Sequence, residues 1–256
     1  MPLFFLNASP ELIYLASDPD RWYGSGESIE AVNVPDHFID FEYVEGLDLP
    51  RDRYKYLHLL ETSRTLRRHG LSNAAIGFLP WRIAEMSELL TQEWRLWRAA
   101  APGDRPFIEH AIVNAAGVLA HYAGDAANPD HTTINYNGWV LANPNGYPID
   151  CDSHSRFENA FVSHAIETPD VMPFLAAPAL RADYFHAGMD LIRDSHSLVE
   201  ELYRLDRDGA FSYPPTAEAG KRFAAQRLAA GASVIRDLWW SAYRNSAAPK
   251  QRARAR

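Results

Sequence analysis

Five potential metal ligands lie within 38 residues of this sequence, between His121 and Glu158. His121 precedes Asp125 by four residues, and His154 precedes Glu158 by the same interval. Residues four apart share one face of an α-helix, so each pair can direct an imidazole and a carboxylate at one cation. Zinc binds both of these ligand types in proteins, and catalytic zinc sites keep one position open for water. The spacing therefore indicates metal chemistry.

The fifth ligand is His131, which follows Asp125 by six residues across Asn128 and Pro129. The proline is expected to stop the helix and to let the chain fold back toward the same place. One His-x-x-x-Asp pair is a weak signal, because a packed histidine and a solvated aspartate give the same pattern. Two such pairs together with His131 predict two ligand clusters in one pocket.

Longer motifs surround these ligands and continue upstream of them. They are D-P-D-R-W from Asp18, H-F-I-D from His37, G-F-L-P-W from Gly77, L-A-H-Y-A-G-D-A-A-N-P-D-H-T-T from Leu119, N-Y-N-G from Asn135 and H-S-R-F-E from His154. In this order the motifs closely resemble those of the zinc-dependent phospholipase C and single-strand-specific zinc nuclease superfamily. The resemblance extends from about residue 2 to the predicted helix that ends near Trp240.

The resemblance implies a ligand role for seven residues. The implied ligands are Asp20, His37, His121 and Asp125 for one zinc ion, and His131, His154 and Glu158 for a second. Asp18 is the alternative to Asp20 as the early aspartate. Catalytic roles are implied for Asp20, which would also orient the attacking water, and for Asp125, which bridges to a third zinc ion in the family.

The third zinc site of the family has no counterpart in this sequence. Family members complete it with an N-terminal Trp and a His a few residues later, whereas this chain reads M-P-L-F-F-L from Met1. We therefore expect two zinc ions here, against three in the family, and either a start codon assigned too late or a lost site. The resemblance also implies a secreted or periplasmic protein, although no signal peptide is visible.

Composition is that of a folded protein. The 256 residues are 47% hydrophobic and 23% charged, and without repeats or linkers they predict one domain over residues 1–246. Residues 247–256 are expected to form a disordered basic tail. The net charge of −8 argues against stable binding of duplex nucleic acid. One cysteine excludes an internal disulfide, no apolar run is long enough to cross a membrane, and a monomer is expected.

Hydrophobic periodicity predicts an all-α fold, a single-domain multi-helix bundle of the zinc phospholipase C and nuclease type. Apolar residues recur every three or four positions over residues 105–126, which places His121 and Asp125 at the end of that helix. The turn-rich loop from Asn135 to Ser153 is expected to form a short hairpin over the metal site. The other predicted helices are Ile83 to Trp97, Ser155 to Ile166, Leu180 to Leu205 and Ala217 to Tyr243.

These observations favour a zinc-dependent phosphodiester hydrolase in which metal-activated water attacks phosphorus. A nuclease or nucleotidase acting on single-stranded nucleic acid or nucleotides is preferred over a phospholipase C acting on phospholipid head groups. A non-catalytic protein stabilised by zinc is the alternative from another class. Arg156 could face phosphate but is expected to be a solvated residue, and the lone histidines, including His110, are expected to be packed or exposed.

Overall fold

The computed structural model describes residues 1–63, 73–212 and 218–247, and over these ranges the chain is mostly helical with no β-strand. Isolated backbone bridges join Ile39 to Gly77 and Tyr136 to Gly138. The all-α prediction is therefore confirmed. Over the same ranges, each helix is too short or too polar to span a bilayer.

Numbered in chain order, the α-helices are α1 Leu3–Leu6, α2 Ser9–Leu15, α3 Asp18–Arg21, α4 Glu27–Asn33, α5 Arg53–Thr62, α6 Leu79–Ala99, α7 Arg105–Asp125, α8 Ser163–Ala165, α9 Thr168–Val171, α10 Tyr184–His196, α11 Val199–Arg207 and α12 Glu218–Asn245. A π-helix spans Ser155–Val162. Short 3-10 helices span Val34–Asp36, Phe41–Tyr43, Asn73–Ile76, Pro129–Thr132 and Met172–Phe174.

The two long helices α6 and α7 form the centre of the fold. Each has a proline in its first turn, where a missing N–H costs no helical hydrogen bond. Helix α6 buries Trp81, Leu90 and Trp94 among its core residues, and it packs against α7, α10 and α12. The fully buried part of α7 contains small residues, which let neighbouring helices approach its backbone closely.

Gly117 of α7 shows why a small residue is needed there. A Cβ atom at this position would collide with the Cβ of Leu15, at the end of α2. The side chain of Leu15 in α2 therefore packs directly on the backbone of α7 at Gly117. This contact brings the segment from Ala16 to Asp20 over the C-terminal half of α7. The packing positions an N-terminal carboxylate beside ligands from the middle of the sequence.

Helix α12 joins two hydrophobic clusters. Its C-terminal part, including Leu238, belongs to the larger cluster around α6 and α7. Its N-terminal part, with Phe223 and Ala224, packs against residues of the π-helix and α11. The backbone of α12 also lies close to the end of α7 at Gly231, where an added Cβ would be 3.0 Å from the Cβ of Ala127. The π-helix is thus held against the same long helix that supports α7.

Most helix predictions agree with the structure. The predicted helix over 105–126 corresponds to α7, and the prediction from Ile83 to Trp97 lies inside α6. The predicted helix from Ser155 is helical through Ala165, but its first part is a π-helix. The last predicted helix corresponds to α12, with Ala217 outside the described residues.

The prediction of one helix from Leu180 to Leu205 is wrong. The chain is not helical before Tyr184, because Asp183 caps α10 by accepting a hydrogen bond from the backbone N–H of His186. A turn at Ser197 and Leu198 then separates α10 from α11.

The predicted hairpin is also absent from the loop between Asn135 and Ser153, where all residues are described. One backbone hydrogen bond crosses the loop, from Trp139 to Pro148. The side chain of Asn137 donates a hydrogen bond to the carbonyl oxygen of Cys151, and the side chain of Asn143 both donates to and accepts from the backbone of Tyr147. The loop is therefore ordered by asparagine side chains in place of a strand ladder. Of the predicted tail, residues 248–256 lie outside the described residues.

Candidate metal centre

The first ligand group contains four side chains from three segments. His121 and Asp125 come from the last turns of α7, Asp20 from α3, and His37 from the residue after a 3-10 helix. The Nδ1 atom of His37 lies 3.0 Å from Nε2 of His121 and 3.1 Å from Oδ2 of Asp125. The same Nε2 atom lies 3.3 Å from Asp125, while Asp20 lies 3.6 Å from His121 and 3.9 Å from His37.

These five separations are close to those of a tetrahedral cation site, and Asp20, His37 and His121 have ligand atoms that all lie within 4.8 Å of one another. An ion about 2.0–2.1 Å from four ligands at tetrahedral corners separates the ligand atoms by about 3.3–3.4 Å. The five separations given above range from 3.0 to 3.9 Å and bracket that value. The donor set of two imidazole nitrogens and two carboxylate oxygens is one that zinc binds, whereas magnesium and calcium prefer oxygen ligands alone.

The backbone orients one of these imidazoles for metal binding. Nδ1 of His121 lies 2.8 Å from the carbonyl oxygen of Ala16 and donates its hydrogen to it. The Nε2 atom then carries the lone pair, and this is the atom that faces His37 and Asp125. Hydrogen bonds of this kind fix the tautomer of metal-binding histidines in many proteins. The contact between α2 and α7 therefore also sets the chemistry of His121.

The second ligand group contains His131, His154 and Glu158. Oε2 of Glu158 lies 3.2 Å from Nε2 of His131 and 2.9 Å from Nε2 of His154. Asn128 donates a hydrogen bond of 2.7 Å to the same oxygen. Nδ1 of His131 faces the carbonyl oxygen of His37 at 2.8 Å, so the two groups are joined through one residue. Three ligands leave one position of a tetrahedral ion open, as in catalytic zinc sites.

Two local breaks in helical structure bring these ligands together. Helix α7 ends at Asp125, and Asn128 caps the following 3-10 helix through the backbone N–H of Asp130. The chain turns back at Pro129, as the sequence predicts, and presents His131 to His37. Glu158 lies in the π-helix, an uncommon geometry that occurs often at functional sites.

The two groups are strongly coupled electrostatically. Burial lowers the pKa of His131, but Asp125 and Glu158 outweigh this effect and raise it to about 10. Burial acts to raise the pKa of Glu158, but hydrogen bonds with His131 and His154 hold it well below its usual range. Burial likewise acts against the charge of Asp125, and His131, His121 and His37 together lower its pKa. The carboxylates are thus kept ionised, as metal ligands must be.

Comparison of the chain with protein-family models, with curated proteins and with solved structures finds no match. The superfamily resemblance therefore remains a prediction from the motifs.

The structure brings together all seven predicted ligands. Of the two early aspartates, Asp20 faces His37 and His121, whereas Asp18 pairs with Arg21 on the surface. Arg156 lies beside His154 in sequence, but its guanidinium binds Asp206 at 2.7 and 2.8 Å and Asp150 at 3.0 Å. It is therefore a structural residue that ties the π-helix to α11.

Other residues that were not expected to bind metal also lie outside both groups. His110 is exposed on α7, and Cys151 is an exposed thiol in the loop before His154. Nδ1 of His196 donates a hydrogen bond of 2.8 Å to the carbonyl oxygen of Thr132. His69 lies outside the described residues.

Three residues of the centre were not predicted from the sequence. Asn128 holds Glu158, as described above, and Tyr23 packs its ring against His37 with ring centres 5.3 Å apart. Asp130 is fully buried, its two carboxylate oxygens have no hydrogen-bond partner among the described residues, and burial raises its pKa to about 7. The D-P-D-R-W-Y run and the N-P-D-H run contain all three residues, but neither run has a spacing that indicates their contacts.

A cavity of about 430 Å³ opens beside both groups. Its wall includes Asp20 and Asp125 from the first group and Glu158 from the second. The rest of the wall is mostly small or aliphatic and includes Ala120, Gly124, Val162, Leu228 and Ile235. A molecule in this cavity therefore meets ligands of both groups as well as alkyl side chains.

Proposed function

We propose that this protein is a zinc-dependent phosphodiester hydrolase that uses two ions, one in each ligand group. The observation that supports this proposal is that two groups of imidazole and carboxylate ligands lie beside a single cavity, which Asp20, His121 and Asp125 line from the first group and Glu158 lines from the second. When bound, zinc lowers the pKa of coordinated water toward ~7 and offsets the charge that grows on phosphate oxygens.

The charge of the ligands suggests different tasks for the two groups. The first group has two carboxylates, which balance the charge of a divalent ion. The second has one carboxylate, Glu158, with two imidazoles, so that a divalent ion there keeps net positive charge. The second group is therefore the better place for a phosphate oxygen, and the first the better place for the attacking water.

Asp20 and Asp125 differ in exposure and hence in role. The side chain of Asp20 is 59% exposed, whereas that of Asp125 is 10% exposed and contacts both His37 and His121. Asp125 therefore holds the first group together. Asp20 lines the cavity, where its carboxylate can accept a hydrogen bond from the attacking water and orient it for in-line attack.

Single-stranded nucleic acid or a nucleotide is the first proposed substrate class. Phospholipid head groups are the second, and the aliphatic wall of the cavity favours them. Purified protein should be loaded with zinc, its metal content measured by ICP mass spectrometry, and its activity assayed on single-stranded DNA, RNA and phosphatidylcholine. Cleavage of the lipid alone would make the nuclease assignment wrong. Two bound ions without cleavage of any phosphodiester would favour a non-catalytic protein stabilised by zinc.

A further inference from the structure

Arg227 of α12 lines the cavity that both ligand groups border, although it belongs to neither group. Two contacts hold it close to the end of α7. Its Nη1 atom lies 3.4 Å from Oγ of Ser195, which donates a hydrogen bond of 2.7 Å to the carbonyl oxygen of Ala126. One turn further along α12, the backbone of Gly231 lies against Ala127. The guanidinium is therefore anchored beside the segment that directly follows the ligand carboxylate at the end of α7.

In the part of the chain that the structure describes, one nitrogen of this guanidinium has partners and two have none. Nη1 donates a hydrogen bond of 2.8 Å to Oδ2 of Asp194, in addition to its contact with Ser195. Nε is buried without a hydrogen-bond partner, and Nη2 makes no hydrogen bond with the same set of residues. Nε and Nη2 form one edge of the guanidinium, where two N–H bonds run parallel and can bind two oxygens of an anion at once.

The buried Nε indicates a missing partner. A buried N–H without a partner is unfavourable, and native structures satisfy nearly all such groups with protein, water or a bound molecule. Among the described arginines, Arg82, Arg95 and Arg105 also have a buried Nε without a partner, but of these four only Arg227 lines the cavity beside the ligand groups. A molecule in that cavity can therefore supply the partner of Arg227.

A phosphate suits both this edge and this cavity. Arginine binds phosphate oxygens in pairs, and these hydrogen bonds are strong because both partners are charged. The cavity volume of about 430 Å³ lies in the range of pockets that hold whole small molecules, so a molecule larger than one phosphodiester fits. In the proposed function the scissile phosphodiester lies at the ligand groups. The anion that meets Arg227 is therefore a second one on the same molecule.

We propose that Arg227 binds a second phosphate of the substrate through Nε and Nη2, while the scissile phosphodiester lies at the ligand groups. This proposal rests on the proposed hydrolase function and narrows the substrate to nucleotides and short single-stranded nucleic acids, in which phosphates follow one another along the chain. Phosphatidylcholine does not fit, because it has one phosphate and its head group carries a cation that the guanidinium repels.

Binding of small nucleotides tests the second phosphate without requiring catalysis. Zinc-loaded protein is titrated in a calorimeter with thymidine 3′,5′-bisphosphate and with the two thymidine monophosphates that each lack one of its phosphates. Arg227→Gln removes the guanidinium, and Arg227→Lys keeps the charge but not the edge with two donors. Thermal unfolding shows whether each variant folds, and Arg227→Lys decides the test if Arg227→Gln does not. Arg244→Gln, at an exposed arginine on the same helix, is the matched control.

A second control separates phosphate binding from a structural role of Arg227. Asp194→Asn removes the carboxylate that accepts from Nη1 and keeps the guanidinium. The side chain of Asp194 is 56% exposed, and such surface ion pairs contribute little to stability. If Arg227 acted only through this ion pair, Asp194→Asn would have the same effect as Arg227→Gln.

The unmodified protein should bind the bisphosphate about 10- to 100-fold more tightly than either monophosphate, the usual effect of a hydrogen bond between charged groups. Arg227→Gln should abolish this preference and leave the monophosphate affinities within about threefold. Arg227→Lys should keep only part of the preference, whereas Asp194→Asn and Arg244→Gln should keep all of it. In the activity assay, a 5′- or a 3′-terminal phosphate should raise kcat/KM for a thymidine dinucleotide, and Arg227→Gln should remove that gain.

Equal affinity of the unmodified protein for the bisphosphate and the monophosphates would overturn the proposal. A preference that persists in Arg227→Gln, or that Asp194→Asn removes to the same extent, would overturn it too. If a phosphodiester is cleaved, these results leave the hydrolase function intact. A preference that depends on Arg227, in a zinc-loaded protein that cleaves no phosphodiester, would support the phosphate site and make the proposed hydrolase function wrong.

Discussion

Binding of a cation at the second ligand group should release a proton near neutral pH. In the metal-free protein the pKa of His131 is about 10, so this ring is protonated at pH 7. Its Nδ1 faces the carbonyl oxygen of His37 and its Nε2 faces Glu158, so both nitrogens donate. An ion bound to Glu158 needs the lone pair of Nε2, and therefore the proton on Nε2 must leave.

The size of this effect follows from the pKa. The difference between about 10 and pH 7 is three pKa units, which corresponds to about 4 kcal/mol at about 1.4 kcal/mol per unit. The apparent affinity for zinc at this group should rise about tenfold per pH unit from about pH 6.5 to about pH 8, because each bound ion displaces one proton.

Isothermal titration calorimetry measures the release directly. Zinc is titrated at one pH in buffers of different ionisation enthalpy. The binding enthalpies in two buffers should differ by the difference between the buffers' ionisation enthalpies, which corresponds to one proton released per ion at this group. Glu158→Gln is the comparison variant: it removes a ligand of this group and also the charge that helps to raise the pKa of His131, so both zinc binding at this group and the proton release should fall. Equal enthalpies in all buffers, together with an affinity that does not change with pH, would refute the reasoning.

Three further predictions concern ligands, ions and packing. His121→Ala and Asp125→Ala should each lower the zinc content measured by ICP mass spectrometry by about one ion. Each should also reduce hydrolysis by more than the 10- to 100-fold that is typical when a residue hydrogen-bonded to a metal ligand is lost. Unchanged turnover would rule out this site. A chelator should lower the thermal unfolding midpoint, since an ion present at about 100 times its Kd stabilises by about 2.7 kcal/mol, and a constant midpoint would contradict bound ions. Gly117→Ala should destabilise by about 1–3 kcal/mol in urea unfolding because its Cβ meets Leu15, whereas Gly124→Ala on the same helix has open space and should stabilise by up to about 1 kcal/mol. Equal effects of the two glycine substitutions would show that the contact is not tight.

The sequence predicts best the ligands that lie on one helix, because helical spacing alone places them on the same face. His121 and Asp125 share a face of α7 because they are four residues apart, and the apolar period of that helix is long enough to locate its end. Convergence of Asp20 and His37 on that face depends on packing between segments far apart in the chain. Spacing does not encode such packing, so these two ligands could be predicted only from the resemblance of their motifs.

Other features lack a local signal altogether. The break between α10 and α11 has no glycine or proline, and the apolar period continues through Ser197 and Leu198. The hydrogen bonds of the π-helix span one residue more than those of an α-helix, a difference that four- and three-residue spacings do not resolve. The position of Tyr23 depends on where the turn after α3 places its ring, and neighbouring residues do not determine that.

The two ligand groups close chain segments of very different length. His131 and Glu158 are 27 residues apart, whereas His37 and His121 are 84 residues apart. Closing the longer segment costs about 1 kcal/mol more in chain entropy, and it also requires the N-terminal helices to have docked. A folding chain can therefore capture an ion at the second group first, while its N-terminal quarter is still unstructured. We therefore expect any metal uptake to be sequential, with the local group as the nucleus on which the rest of the centre assembles.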